Sequence, residues 1–304
     1  MTLTRRQALL AGAALPAAAA LPALIPAAAH AQAAAGGPAR DHALGNFRVT
    51  SLLTGAMPMD NPREIYATDA SEEDFAAVAE AGFVPVDRSV NSFTPIVVNT
   101  GAEVVLFDTG LSPEGIVSAL QGAGYTPDDV THIVLSHMHP DHIGGVMGAD
   151  GAPVFGNARY FTGQQEFDFW ATQANERFDL NVRPLAERFT FLDDGDTVVG
   201  GITATAAFGH TPGHMAFHLE NEGRRLLFIA DAATHYVFSL ANPEWEVVFD
   251  ADKAAAAATR RRLLDLAATD RIAIAGYHMP FPGIGFIETR GTGFGYVPAS
   301  YQFG

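Results

Sequence analysis

The chain contains no cysteine. That excludes a thiol nucleophile, a thiolate-bound metal, a lipid-modified cysteine and any disulfide. Lysine is almost missing too, with Lys253 the only one among 304 residues. Basic residues are outnumbered, 18 Lys and Arg against 34 Asp and Glu, for a formal net charge of −16. A chain so acidic is a poor partner for nucleic acid or an anionic membrane surface. After the first thirty residues no apolar run is long enough to span a bilayer.

What is present begins with Thr4-Arg5-Arg6-Gln7, followed by an uncharged stretch from Ala8 to Ala29 and by Ala29-His30-Ala31. Paired arginines, a weakly apolar segment and a small-x-small site have the form of a twin-arginine signal over residues 1–31. Pro16, Pro22 and Pro26 oppose a stable spanning helix there. The expectation is export to the periplasm or beyond, with no membrane anchor once the signal is removed. Residues 32–46 then read as a flexible leader, and residues 47–304 as one domain. Hydrophobic residues make up 48% of the chain, enough for a sizeable core.

Along that domain, apolar strands alternate with helices. Phe47–Leu53 reads as a first strand. Met57–Ala70, with Pro58, Asp60, Asn61 and Pro62, reads as an irregular loop. Ser71 opens a short helix that stops at Gly82. Ile96–Gly101 and Glu103–Gly110 read as a hairpin, and Ser112-Pro113-Glu114 opens the next helix with a capping hydroxyl and an N-terminal proline. Thr131–Leu135, Arg159–Phe161, Ile202–Ala207, Met215–Leu219, Arg225–Ala230 and Ile272–Ala275 read as strands. Gln164–Ala174 and Asp252–Thr269 read as helices. This succession predicts an α/β class.

The chemistry concentrates in Ser136-His137-Met138-His139-Pro140-Asp141-His142-Ile143-Gly144-Gly145, which follows a buried strand. Four potential metal ligands fall within six residues. Imidazole and carboxylate together suit zinc and related borderline metals. Gly144-Gly145 is expected to allow a tight bend. His137, His210, Asp231 and His278 share one placement, each just past the end of an apolar strand. His132 and His218 lie inside strand patterns and read as structural, and His42 falls in the leader.

The H-x-H-x-D-H motif, together with Phe107-Asp108-Thr109-Gly110, Gly209-His210-Thr211-Pro212-Gly213-His214, Ala230-Asp231 and His278, resembles the metallo-β-lactamase superfamily. Asp168-Phe169-Trp170, the tail His278-Met279-Pro280-Phe281-Pro282-Gly283 and Gly295-Tyr296-Val297-Pro298 resemble its methyl parathion hydrolase-like group. The resemblance implies an αββα sandwich with a two-metal site at one edge. By position it assigns His137, His139 and His210 to one metal and Asp141, His142 and His278 to the other. Asp231 would bridge them, and Asp141 and Asp231 are the carboxylates closest to the chemistry. Zinc leads among the cations such a site accepts, with manganese, iron and cobalt also compatible. The shared water would then ionise near neutral pH and attack a carbonyl or phosphoryl centre.

His214 is expected to support the ligands rather than join them, and Asp108 to orient a loop or a ligand histidine. Trp170, Phe169, His235 and Phe281 are expected around the substrate, with a structural role for His235 equally open. Asn175–Arg188 lacks the aromatic-rich insertion of the nearest group members, which weakens a phosphotriester preference. The expected function is hydrolysis of a small-molecule lactone or carboxylic ester, with some aryl phosphotriesterase activity. A β-lactamase, or a non-hydrolytic metal-binding or redox protein, are the alternatives. Oligomeric state stays open, a homodimer included.

Overall fold

Sixteen strands supply most of the framework of the computed structural model, which describes residues 38–302. In chain order they are β1 (Ala39–Leu44), β2 (Phe47–Leu52), β3 (Gly55–Asp60), β4 (Arg88–Phe93), β5 (Ile96–Asn99), β6 (Val104–Phe107), β7 (His132–Leu135), β8 (Arg159–Gly163), β9 (Phe189–Leu192), β10 (Thr197–Val199), β11 (Ile202–Ala206), β12 (Met215–Asn221), β13 (Arg224–Ala230), β14 (Ala273–Gly276), β15 (Ile284–Arg290) and β16 (Gly293–Pro298). The helices are α1 (Pro62–Tyr66), α2 (Glu72–Ala81), α3 (Pro113–Gly122), α4 (Pro140–Ile143), α5 (Gln164–Ala171), α6 (Glu176–Asn181), α7 (Phe238–Ala241) and α8 (Lys253–Asp270). The expected signal peptide, residues 1–31, lies outside the described residues.

Two seven-stranded sheets form, ordered β1-β2-β5-β6-β7-β8-β9 and β10-β11-β12-β13-β14-β15-β16. β6 through β9 run parallel, as do β13 and β14, and the other pairs within these sheets are antiparallel. Between the sheets lies an apolar layer that includes Val49, Val98, Phe107, Phe217, Phe228 and Ala275. Phe107 sits 5.1 Å from Phe217 and 5.3 Å from Phe228, ring centre to ring centre. Truncating any of these three to alanine would cost about 3–5 kcal/mol. A second layer packs the outer face of the first sheet against α3, through Leu106, Ile116 and Leu120. A third packs the second sheet against α8, through Leu227, Leu263 and Leu264. This is the expected αββα sandwich.

The helices start where the sequence signals them. Ser112 Oγ accepts from Gly115 N at 3.2 Å, and Asp252 Oδ1 from Ala255 N at 3.0 Å. Two expectations need correction. The flexible leader, residues 32–46, is ordered from Ala39: β1 pairs with β2 from Ala39↔Leu52 to Leu44↔Phe47. Its short apolar content hides it, but an edge strand needs only one buried face, and His42 and Leu44 supply it. Met57–Ala70 is not an irregular loop either. β3 pairs with β4 in a separate two-stranded ribbon, and Pro62 opens α1. Pro58 is tolerated because such a ribbon has free edges.

Candidate metal centre

β7 is buried along its whole length and ends at Leu135, so the next residues emerge at the sheet edge. Pro140 then starts the one-turn α4, which turns Asp141 and His142 back toward His137. The glycines after it do not act as expected. Gly144 has an ordinary helical φ of −64°, so no special bend is present. A Cβ at Gly144 would lie 2.2 Å from the Leu111 carbonyl oxygen, and one at Gly145 would lie 2.2 Å from that of Thr109. Close approach to the β6–α3 connection is what requires glycine there.

β11, β13 and β14 deliver His210, Asp231 and His278 to the same edge. His139 Nδ1 lies 3.0 Å from both His137 Nε2 and His210 Nε2. Asp141, His142 and His278 form a second cluster, with His142 Nε2 3.5 Å and His278 Nε2 3.4 Å from Asp141 Oδ2. Asp231 reaches both clusters. Its Oδ2 is 3.4 Å from His210 Nε2, 4.0 Å from His137 Nε2 and 3.1 Å from His278 Nε2, while its Oδ1 is 3.3 Å from His142 Nε2. All seven expected ligands are therefore together.

The outer ring nitrogens fix which inner ones carry lone pairs. His278 Nδ1 donates to the Ser92 carbonyl at 2.9 Å. His142 Nδ1 donates to Asp108 Oδ2 at 2.8 Å, and His210 Nδ1 to Asp250 Oδ1 at 2.9 Å. In each neutral ring Nε2 is then an acceptor. These lone pairs point at one another and at Asp231. His142 Nε2 and Asp231 Oδ1 are also buried without a hydrogen-bond partner. Buried acceptors facing acceptors are costly unless a cation lies among them. Imidazole and carboxylate donors suit divalent zinc, so the residues fit a metal pair.

The electrostatics show the same demand for positive charge, which a proton can meet on the carboxylate-rich side. Burial pushes His137 and His139 well below the ordinary imidazole range, and neighbouring imidazoles add to it. Burial opposes charge on His142 and His278 as well, but nearby carboxylates, Asp231 foremost, hold His142 well above that range and raise His278. Asp231 is held well below the carboxylate range against its burial, by His278 and His142.

Asp108 takes the orienting role expected of it, accepting from Ser136 N at 2.7 Å and Ser136 Oγ at 2.8 Å besides His142. Its φ is +61°, and Ala230, at the matching end of β13, has φ +42°. Such left-handed non-glycine residues cost about 1–3 kcal/mol each and aim the chain that follows. His214 also supports rather than joins the cluster. Its Nδ1 donates to Ala207 O at 3.0 Å, and its Nε2 accepts from Asp231 N at 3.2 Å. His132 and His218 lie within β7 and β12, as expected.

The cavity over the two clusters has other walls than the residues expected around the substrate. A cavity of about 250 Å³ opens on His139, Asp141, His210, Asp231 and His278, and its walls are Met57, Met59, Asn91, Phe93, Leu111 and Phe249. Phe169, Trp170, His235 and Phe281 are not among its lining residues. Trp170 stands beside His139, with ring centres 5.9 Å apart, and its Nε1 donates to Glu166 Oε1 at 2.7 Å. His235 and Phe281 line another cavity, of about 350 Å³, that shares His278 with the first. His235 Nδ1 accepts from Val237 N at 3.1 Å and Phe238 N at 3.3 Å, and burial lowers its pKa to about 3. These features fit the structural alternative, while its place on that cavity fits the other.

Several site residues gave no signal in the sequence. Arg260 is buried in α8, donates to Asp250 Oδ2 at 2.8 Å and so anchors the carboxylate behind His210. Glu166 is buried in α5, and burial raises its pKa against four hydrogen bonds. Both sit in helices whose composition reads as ordinary amphipathic surface.

With this fold and edge site in view, the class is clear: the chain belongs to the metallo-beta-lactamase superfamily, whose pattern matches residues 94–276. Among solved structures it is similar to AidC, a dizinc quorum-quenching lactonase. That likeness has a TM-score of 0.80 and 26% identity, covering 88% of this chain and 99% of the other. It is also similar to the hydrolase AbOPH, with a TM-score of 0.79 and 26% identity over 87% of this chain and 98% of that one. Among curated sequences it is 28% identical to an N-acyl homoserine lactonase of Bacillus cereus, over 45% of this chain and 51% of that protein. It is 34% identical to the N-acyl homoserine lactonase AttM of Azorhizobium caulinodans, over 40% of this chain and 48% of that protein. The chain thus spans about half the length of the curated relatives it matches.

Proposed function

We propose that the chain is a dinuclear metal-dependent hydrolase that opens lactone rings, with N-acyl homoserine lactones as the substrate class. The observation that carries this is Asp231, placed between His137/His139/His210 and Asp141/His142/His278 at the floor of an apolar cavity. The lactonases among its relatives point to the same bond. His137, His139 and His210 would hold one divalent cation and Asp141, His142 and His278 the other, with Asp231 shared; zinc is the proposed metal.

Such a pair supplies a Lewis acid and lowers the pKa of water toward about 7. The chain's own groups do the rest. Met57, Met59, Phe93, Leu111 and Phe249 bind the apolar part of a neutral substrate and keep bulk water from the reacting ester. Asp141, with its side chain 19% exposed against 5% for Asp231, is the carboxylate that solvent can reach. It takes up the proton released on attack and returns it to the departing alkoxide. No Lys or Arg lines this cavity. A neutral lactone is therefore favoured over an anionic β-lactam.

An aryl phosphotriester is proposed as a weaker second substrate, since Phe93 and Phe249 offer aromatic faces to a flat leaving group. The enzyme is proposed to work outside the cytoplasmic membrane, on the strength of Arg5-Arg6 and Ala29-His30-Ala31. Replacing both arginines by lysine should leave precursor inside the cell, and normal export of that variant would refute the twin-arginine route.

The test of function is kcat/KM on zinc-loaded protein for an acyl homoserine lactone, an aryl ester, an aryl phosphotriester and a penicillin. The lactone should lead, the phosphotriester should be measurable, and the penicillin should be turned over poorly. A penicillin hydrolysed faster than both lactone and ester would overturn the proposal.

A further inference from the structure

We propose that Glu166 is the positioning residue for the all-imidazole half of the site, clamping the loops that carry His137, His139 and His210 to each other. This rests on the metal-centre reading above.

Glu166 lies in the first turn of α5 and is fully buried. Its Oε1 accepts from Met138 N at 3.0 Å and from Trp170 Nε1 at 2.7 Å. Its Oε2 accepts from Thr211 Oγ1 at 2.6 Å and from Gly213 N at 3.0 Å. Met138 is the residue between His137 and His139, and Thr211 directly follows His210. One carboxylate therefore ties a loop of the first sheet to a loop of the second. The fourth donor, Trp170, holds its ring edge-on to His139.

Among the described residues no Lys or Arg pairs with Glu166, so these four donors are what faces its buried carboxylate. A buried carboxylate is costly, and an apolar side chain of similar volume would serve a merely structural position as well or better. The geometry leaves little room for relaxation. A Cβ at Gly213 would lie 2.0 Å from Glu166 N, and one at Gly163 would lie 2.9 Å from Gly213 O. Backbone thus meets backbone where the carboxylate bonds form. The positions of His139 and His210 relative to each other follow from Glu166 more directly than from either sheet.

Glu166→Gln keeps the shape but replaces one acceptor oxygen with an amide nitrogen that cannot accept from Gly213 N. The experiment compares wild type, Glu166→Gln, Thr211→Val and Trp170→Phe as full-length zinc-loaded protein. It reads zinc per chain against rising chelator, the absorption spectrum after cobalt substitution, and melting of the metal-free chain. Glu166→Gln should lose its first zinc about 10–100-fold more readily than wild type, as expected of a group that orients ligands from behind. Its cobalt spectrum should change, and metal-free melting should change little. Thr211→Val and Trp170→Phe, each removing one donor, should shift retention the same way by less.

Wild-type zinc retention and cobalt spectrum in Glu166→Gln would overturn the assignment. If Glu166→Gln fails to fold, unchanged retention in both Thr211→Val and Trp170→Phe would overturn it instead. Wild-type protein that retains no metal would overturn the metal-centre reading itself, and this assignment with it.

Discussion

The two halves of the site use similar ligands in opposite electrostatic settings. His137, His139 and His210 form a group of imidazoles alone, and the carboxylate behind His210 is neutralised by the buried Arg260. His142 and His278 instead face Asp141 and Asp231, with Asp108 behind His142 and, among the described residues, no arginine or lysine paired to any of the three. The effect appears in the protonation of the rings. Burial dominates in the first half and keeps His137 and His139 neutral, while carboxylates prevail in the second and raise His142 and His278. His137 and His139 can accept a cation without first losing a proton. The second demands positive charge of some kind, whether proton or metal. On the proposed dinuclear reading, the two halves would therefore load with unequal ease.

The largest effect should come from removing what the halves share. Asp231→Asn weakens both at once, so hydrolysis should fall to background and metal content should drop below two ions per chain. His137→Ala should abolish hydrolysis too while leaving the second half its own ligands. A reproducible wild-type content of one ion or fewer, unchanged by added zinc or manganese, would break the picture of a bridged pair.

Next come the carboxylates behind the rings, where the halves should part. Asp250→Asn and Asp108→Asn should each weaken metal binding by about 10–100-fold, measured by chelator competition. Only Asp250→Asn also strips the charge partner from a buried arginine, and it should destabilise the metal-free chain by about 3 kcal/mol. Asp108→Asn orphans no arginine or lysine and relieves crowding among carboxylates, so its metal-free stability should fall less. Equal losses in urea unfolding would show that Arg260 is not the source of the difference.

A residue outside both halves sharpens the comparison by pH. His235 is buried among Tyr66, Tyr236 and Phe238, and its pKa falls to about 3 in the folded chain from an ordinary 6.5. The unfolded chain therefore takes up a proton below 6.5 that the folded chain refuses. His235 costs nothing above pH 6.5, and stability is lost as pH drops toward 3. Between pH 7 and pH 5 the loss is about 2 kcal/mol, from 1.36 kcal/mol per unit. His235→Asn should remove that share of the acid sensitivity of the metal-free chain. An identical difference in unfolding free energy between pH 7 and pH 5 in both proteins would refute this.

How far the sequence revealed the two halves depends on where each residue sits along the chain. The candidate ligands were legible because His137, His210, Asp231 and His278 each lie just past the end of an apolar strand, and His139, Asp141 and His142 follow His137 in one short motif. The sandwich was legible for the same reason, since strands buried on both faces read as continuous runs. What was hidden lies on helices or comes from distant segments. Glu166 and Arg260 sit in helices, and helical periodicity alone does not tell a buried charge from an exposed one. Ser92 contributes only its carbonyl, which no side-chain pattern encodes. Met57, Met59 and Phe93 reach the cavity through the β3–β4 ribbon, and a ribbon containing Pro58 and a long internal connection resembles a loop. Trp170 was expected beside the substrate from the resemblance of Asp168-Phe169-Trp170 to the methyl parathion hydrolase-like group. Its indole nitrogen is instead committed to Glu166.

The smallest effect is expected at His218, a histidine that belongs to neither half. It lies in β12 opposite Thr203 on one side and Leu227 on the other. Burial lowers its pKa, with Arg225 adding to the shift. Among the described residues none of the potential metal-binding groups includes it, and it borders a separate surface hollow with Glu220 and Asn221. Its buried Nε2 has no hydrogen-bond partner, so removing the ring removes an unsatisfied polar atom along with some packing. These contributions oppose each other, and His218→Ala should change stability by no more than about 0.5–1 kcal/mol. Zinc content and kcat/KM should match wild type. If His218→Ala lowered kcat/KM as far as His137→Ala does, in protein that still folds, proximity to Asp231 would not be what makes a histidine of this chain functional.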